Sequence, residues 1–258
     1  MGNRLGQHFL VNKSKIKKII EVLELKEKDT VIEIGAGHGE LTKELINGKE
    51  LRIIAVEKDG NLEQSLRNSI KNNGNSVEII HGDALKLLPQ LILKLPNYKI
   101  VGNIPYYITG RLLRIIGELE NKPEIIVLTV QKEVAERITA KPPRMNLLAA
   151  SVQVWASVEI IDYIPKKDFQ PAPQVDSAII KLRGVAYEEK IMKNYYKLIK
   201  ILFKQPRKTI LNNLANAFLL PKDKLKEKLE RAGINAQERP QNLNLEQIKH
   251  LSLLLKNE

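Results

Sequence analysis

Thr30-Val31-Ile32-Glu33-Ile34-Gly35-Ala36-Gly37-His38-Gly39 reads as a short buried strand running straight into a glycine-rich turn, and the helix-like stretch 40–46 follows at once. Strand, glycine turn and helix in that order form the first half of a βαβ unit. Glycines let the backbone approach a ligand closely, and the helix start behind them suits polar or anionic groups. The dinucleotide pattern G-x-G-x-x-G does not fit. Counted from Gly35 it meets Glu40, and counted from Gly37 it meets Thr42. The spacing is G-x-G-x-G, with acidic Glu33 ahead of it.

Outward from this turn, β-branched runs recur at 51–56, 77–80, 98–101 and 125–130, with helical or polar stretches between them. Such alternation predicts an α/β fold built on a doubly wound, mostly parallel sheet. An amphipathic helix over 15–25 precedes the first strand, with Ile16, Ile19, Ile20 and Leu23 at helical spacing. Two later runs, 154–161 and 177–182, are separated only by a proline-rich loop at 165–173. Without room for a crossover helix, they are expected as antiparallel neighbours at one sheet edge. Asn72-Asn73-Gly74-Asn75-Ser76 reads as a polar turn. From about Val185 the pattern is wholly helical, with helices expected over 188–203, 208–218, 222–232 and 245–255. The expected domains are therefore 1–184 and 185–258.

The chain has 258 residues, 42 Lys and Arg against 30 Asp and Glu, and no cysteine. Disulfides, thiolate metal sites and thiol nucleophiles are excluded, and no metal site is expected. No apolar run approaches the ~18 residues of a membrane span. Met1-Gly2-Asn3-Arg4-Leu5-Gly6 shows no secretory apolar core, and Gly6 stands where a myristoylation motif needs Ser or Thr. The expectation is a cytoplasmic protein without a membrane partner. A net charge of +12 by itself points to a polyanion such as nucleic acid or to an anionic membrane surface, and charge alone does not choose between them. Residues 185–258 hold 15 Lys and Arg against 8 Asp and Glu, so the shorter helical part carries +7 of that charge.

Three further positions give the glycine turn a chemical direction. Glu57 closes the second strand, where an acidic residue can take ribose hydroxyls, and Asp83 follows the third. Gly35, Glu57 and Asp83 thus stand at the carboxyl ends of successive strands, as for an adenosine-bearing cofactor with no pyrophosphate to cradle. The fourth strand ends in Asn103-Ile104-Pro105-Tyr106-Tyr107, an acceptor-rich loop, because proline donates no hydrogen bond and holds the preceding residue extended. The exocyclic amine of a base is a poor nucleophile while its lone pair is delocalised into the ring. An Asn oxygen and a neighbouring backbone carbonyl can accept both amine protons and localise that pair, while a tyrosine stacks on the base.

These stretches resemble the rRNA adenine N6-dimethyltransferase family, and within it the bacterial small-subunit (KsgA-type) branch. The likeness rests on Leu5-Gly6-Gln7-His8-Phe9-Leu10, Glu33-Ile34-Gly35-Ala36-Gly37-His38-Gly39, Asn103-Ile104-Pro105-Tyr106, Phe169-Gln170-Pro171-Ala172-Pro173-Gln174-Val175-Asp176-Ser177 and Arg207-Lys208-Thr209. It implies a class I S-adenosylmethionine-dependent methyltransferase fold, Rossmann-like with a seven-stranded sheet, and a small all-α C-terminal domain that docks RNA. The implied activity is dimethylation of two adjacent adenosines near the 3′ end of small-subunit (16S) rRNA during ribosome biogenesis, by a monomer acting on an immature small subunit.

Carried onto this sequence, the resemblance places His8, Leu10, Gly35, Gly37, Glu57, Asp83 and Asn103 at the cofactor. Asn103, Pro105 and Tyr106 become the catalytic loop, Tyr106 and Phe169 stacking partners for the target adenine, with Phe169 alternatively a core anchor of the proline-rich loop, and Arg207 and Lys208 RNA contacts. Lys132, Arg137, Lys141 and Arg144 are further candidate phosphate contacts. The alternatives are a large-subunit rRNA adenine methyltransferase of the macrolide-resistance type, and an assembly or RNA-binding factor without catalysis. The chain departs from the usual pattern at Pro206, where a second arginine is common, at Met145-Asn146, where Tyr-Gly is common, and in a basic N-terminal extension reduced to Arg4.

Overall fold

The computed structural model describes residues 7–70, 76–185 and 189–256. Arg4, Leu5, Gly6 and the expected turn at 72–75 lie outside the described residues, as does Glu188. The chain divides into two compact units, Met1–Glu136 with Ser157–Gly184, and Arg137–Ala156 with Val185–Glu258.

The first unit is built on β1 (Phe9–Leu10), α1 (Lys13–Val22), β2 (Thr30–Ile34), α2 (Glu40–Ile46), β3 (Arg52–Glu57), α3 (Gly60–Ser69), β4 (Ser76–His81), α4 (Ala84–Leu91), β5 (Lys99–Asn103), α5 (Thr109–Glu118) and β6 (Ile125–Gln131). After β6 come α6 (Lys132–Ile138) and α7 (Leu147–Gln153), then β7 (Ala156–Ile164), β8 (Phe169–Gln170) and β9 (Ser177–Gly184). Seven strands form one sheet in the order β4-β3-β2-β5-β6-β9-β7. β2 pairs in parallel with both β3 and β5, so Ile32 faces Ile54 on one side and Ile100 on the other. β9 runs antiparallel to β6, with Leu128 opposite Ile180. Between β2 and β5 the strand order reverses, which opens a crevice beyond their carboxyl ends.

The central strands form from largely apolar runs because both faces of the sheet are covered, with Glu33 of β2 and Lys99 of β5 as buried exceptions. Every residue of β3 except Arg52 is buried. Helix α1 starts two residues earlier than its periodicity suggests, because the Asn12 side chain accepts from the Ser14 and Lys15 backbone amides at 3.0 and 3.3 Å. At 154–161 the strand starts only at Ala156, since Val154 caps α7. β7 is the sheet edge and β9 its neighbour, but the proline-rich loop between them contributes a strand of its own. β8 leaves the main sheet to pair antiparallel with β1, with Leu10 opposite Phe169.

The second unit comprises α7, α8 (Glu189–Leu202), α9 (Ile210–Ala215), α10 (Lys222–Arg231) and α11 (Leu245–Leu254). It takes in 137–156, which the sequence pattern assigns to the first domain. The Tyr195 hydroxyl donates to the Ala150 carbonyl at 2.9 Å, and the Met145 amide to the Gln241 carbonyl at 3.0 Å. Asn146, one of the departures noted above, caps α7 by accepting from the Ala149 amide at 3.0 Å. The regrouping concentrates the charge. The helical unit holds 18 Lys and Arg against 8 Asp and Glu, a net +10, while the sheet unit holds 24 against 22, a net +2.

Candidate active site

A cavity of about 270 Å³ opens where the strand order reverses. His8, Leu10, Gly35, Gly37, Glu57, Asp83, Asn103, Pro105 and Tyr106, nine of the residues singled out from sequence, all line it. The glycine turn enters first. Gly35 and Ala36 both direct their amides at the Val56 carbonyl, at 2.9 and 3.3 Å, which closes the turn against β3. Gly37 has φ +58°, and a Cβ there would stand 3.0 Å from the Phe9 ring, so the turn and β1 approach closely only because position 37 is bare.

The acidic residues of the next two strands are held by backbone donors. Glu57 is 4% exposed. One of its oxygens accepts from the Gly37 amide and the other from the Lys58 and Asp59 amides, each at 2.8 Å. Its carboxylate is thereby fixed facing the glycine turn. Asp83 caps α4 through the Leu85 amide at 3.0 Å and pairs with the Lys58 ammonium at 3.1 Å. Burial pushes the Asp83 carboxyl up, but Lys58 and the cap amide outweigh it and hold the group below its ordinary pKa.

Glu33 is the residue whose role the sequence reading missed. It stands one residue before the end of β2, 1% exposed, and lines the cavity. Thr42 donates to its Oε2 at 2.6 Å, whereas Oε1 is buried with no hydrogen-bond partner among the described residues. Burial, with smaller contributions from Glu40 and Glu57, pushes its pKa up to about 8 against the Thr42 hydroxyl. A carboxyl within an otherwise apolar strand was the available signal, because such a group is costly when buried unless something pairs with it. Lys58, Tyr107 and Arg111 also line the cavity without having been singled out.

On the opposite wall, the Asn103 amide nitrogen donates to the His8 carbonyl at 2.8 Å, which leaves the side-chain oxygen as the end available to a ligand. The His8 ring stacks on Tyr106, with centroids 5.9 Å apart and planes at 26°, and its Nδ1 donates to the Pro171 carbonyl at 2.8 Å. The Tyr106 hydroxyl shares a 2.7 Å hydrogen bond with the Ser177 hydroxyl, and burial raises its pKa. Both the position of the Asn amide and the tilt of the tyrosine therefore depend on the segment 7–10.

Phe169 is not brought to this cavity. Pairing of β8 with β1 turns its side chain into the hydrophobic core beside Leu10, at 4% exposure, so stacking a base on it requires that packing to open. Arg207 and Lys208 lie in the helical unit, exposed ahead of α9. Arg137, Lys141 and Arg144 also fall in that unit, and Lys132 in the sheet unit. Among the described residues no cluster of His, Asp and Glu is arranged to hold a metal, and no helix is long and apolar enough to cross a membrane.

Residues 2–257 match the family described as ribosomal RNA adenine dimethylase. The chain belongs to the ribosomal RNA adenine dimethylase family. It is 40% identical over 260 residues to ribosomal RNA small subunit methyltransferase A of Dehalococcoides mccartyi, covering 97% of this chain and 87% of that one. The protein of the same name from Clostridium botulinum is 36% identical over 255 residues, covering 96% and 91%. Among solved structures, a dimethyladenosine transferase from Plasmodium falciparum matches with a TM-score of 0.79 at 25% identity, over 96% of this chain and 98% of that one. The 23S rRNA methyltransferase ErmE matches with a TM-score of 0.76 at 26% identity, over 96% and 100%. The fold of this dimethylase is that of the class I methyltransferases, whose methyl donor is S-adenosylmethionine. The residues present suit that donor. A bare glycine turn admits close approach of a ligand, and the unpartnered Glu33 oxygen calls for a cationic or hydrogen-bond-donating group, which the methionine end of the donor carries.

Proposed function

We propose that this chain dimethylates the exocyclic N6 amines of two adjacent adenosines near the 3′ end of small-subunit rRNA. It acts as a monomer in the cytoplasm, on an immature small subunit. The observation that carries the reading is the Asn103 side chain. Its nitrogen is tied to the His8 carbonyl, so its oxygen is the end presented to the cavity that the donor would share.

The bound cofactor supplies an electrophilic methyl group on a sulfonium. The glycine turn at Gly35 and Gly37 and the Glu33 carboxyl hold its methionine end, Glu57 its ribose, Asp83 its adenine, and His8 and Leu10 close the wall beside it. The target base leaves its stack first, at a cost of a few kcal/mol that is least in a loop or single strand. The Asn103 oxygen accepts one amine hydrogen. Pro105 already takes the Ile108 amide at 3.1 Å, so the second acceptor is the carbonyl of Ile104, ahead of the proline. Drawing both hydrogens out of the ring plane would localise the nitrogen lone pair and aim it at the methyl group; the new N–C bond would form as the S–C bond breaks, with S-adenosylhomocysteine leaving and one amine hydrogen lost as a proton. His8 occupies one face of Tyr106 and the Ser177 hydroxyl fixes its tilt, so the remaining face can stack on the adenine. The +10 helical unit, with Arg207 and Lys208, supplies phosphate affinity.

The test is incubation of the full chain with labelled cofactor and, separately, immature small subunits, large subunits and DNA. The label is then mapped by mass spectrometry of nucleosides. Dimethyladenosine is expected in small-subunit rRNA alone. Label confined to large subunits would assign the alternative substrate, and absence of transfer to all three would remove the catalytic reading.

A further inference from the structure

Away from the cavity, one exposed aromatic ring is coupled to a cation and is joined to the catalytic loop through the backbone. Tyr163, near the end of edge strand β7, is 43% exposed, and the Lys132 ammonium lies 5.3 Å from its ring centroid. Lys132 follows β6 directly, and its amide donates to the Asp176 carbonyl at 3.0 Å. The next residue, Ser177, faces Gln131 across the β6–β9 pairing and holds the Tyr106 hydroxyl at 2.7 Å. The Asp176 carboxylate is turned to the Lys166 amide at 2.9 Å. The Asp176-Ser177 pair thus holds the Tyr106 hydroxyl through a side chain and the backbone of Lys132 through a carbonyl.

We propose that Tyr163 and Lys132 form a subsite for a nucleotide flanking the target adenosine, with the base stacked on the tyrosine ring and its phosphate neutralised by the lysine. The proposal rests on the reading of this chain as an rRNA methyltransferase and adds where the neighbouring RNA is gripped. An aromatic ring this exposed on an edge strand contributes little to the core, whereas a ring with a cation at hand offers what single-stranded nucleic acid uses: a π surface for the base and a charge for the backbone. The pair is too small and too polar for a protein-docking groove. Lys132, Lys166 and Lys167 are exposed, and Asp162 beside Tyr163 is already neutralised by Lys15, so the cation at the ring is open to a phosphate. The half-buried Tyr106 can stack one base, and Tyr163 offers a separate ring to a neighbouring one.

The test uses the full chain and variants Tyr163→Ala, Tyr163→Phe and Lys132→Met. Affinity for a single-stranded oligoribonucleotide carrying two adjacent adenosines is read by fluorescence anisotropy, and cofactor affinity by calorimetry. Tyr163→Ala should weaken RNA binding about tenfold with cofactor affinity unchanged, while Tyr163→Phe keeps the ring and stays within about twofold of wild type. Lys132→Met should weaken binding and reduce the salt slope by about one charge. Equal RNA affinity of wild type and Tyr163→Ala overturns the subsite, as does equal weakening by Tyr163→Ala and Tyr163→Phe. Because the binding readout needs no methyl transfer, an inactive wild type that still shows this pattern would refute the proposed activity and leave the subsite standing.

Discussion

Replacing Glu33 with glutamine removes a carboxyl that the fold keeps at 1% exposure while leaving its shape and the Thr42 contact largely in place. Burial, aided by Glu40 and Glu57, raises the native pKa from the ordinary 4.5 to about 8. A pKa higher in the folded than in the unfolded chain means that the native state retains a proton the unfolded state has released. The associated stabilisation is complete below pH ~4.5 and disappears as pH rises toward 8. Between pH 5 and pH 8 the wild type should lose about 3.5 kcal/mol relative to Glu33→Gln, taking ~1.4 kcal/mol per pH unit across the titration window. Urea denaturation of both proteins at pH 5, 6, 7 and 8 measures this difference directly. A cationic cofactor beside Oε1 favours the carboxylate, so its addition should flatten the wild-type pH dependence. Binding at pH 7 should also release a proton, visible by calorimetry in buffers of different ionisation enthalpy. Parallel stability curves for the two proteins across this range would refute the assignment of a protonated Glu33, and with it the case that its free oxygen awaits the cofactor.

Glu57→Ala strands three backbone amides, on Gly37, Lys58 and Asp59, that the carboxylate satisfies at 2.8 Å. It should cost roughly 2 kcal/mol of stability and at least about tenfold in cofactor affinity; an unchanged affinity by calorimetry would count against the ribose role. Gly102→Ala puts a Cβ 2.6 Å from the Ile34 carbonyl oxygen, a backbone atom between β2 and β5 that cannot move aside cheaply. A loss of about 1–3 kcal/mol in thermal denaturation is expected, with cofactor affinity falling as well because the strain reaches Asn103.

The parallel strands were legible because each is dominated by β-branched residues, and the glycine turn located the crevice. Glu57, Asp83 and Asn103 could be placed from their positions at strand ends alone. The β1–β8 pair was not legible, since two-residue strands carry no periodicity. The resemblance made Phe169 a stacking partner, while its other reading, as a core anchor of the proline-rich loop, is the one its packing matches. The passage to helices at Val185 was visible, whereas α7 was not seen as part of the helical unit because seven residues are too few to reveal which surface they cover. That omission has a practical consequence. Cutting the chain after residue 184 removes Tyr195, which bonds Ala150, and exposes α7, so the role of the basic unit is better tested by charge substitutions at Arg207 and Lys208. Glu33 was visible as an acidic residue before the glycines, but its significance lies in burial and in an unpartnered oxygen, which only the packed structure reveals.

In the proposed mechanism the Asn103 oxygen is the acceptor that orients the target amine, and Asn103→Ala tests that role most directly. With cofactor and immature small subunits, this variant should form no detectable dimethyladenosine while still binding cofactor, more weakly, by calorimetry. Turnover near the wild-type rate would contradict the account.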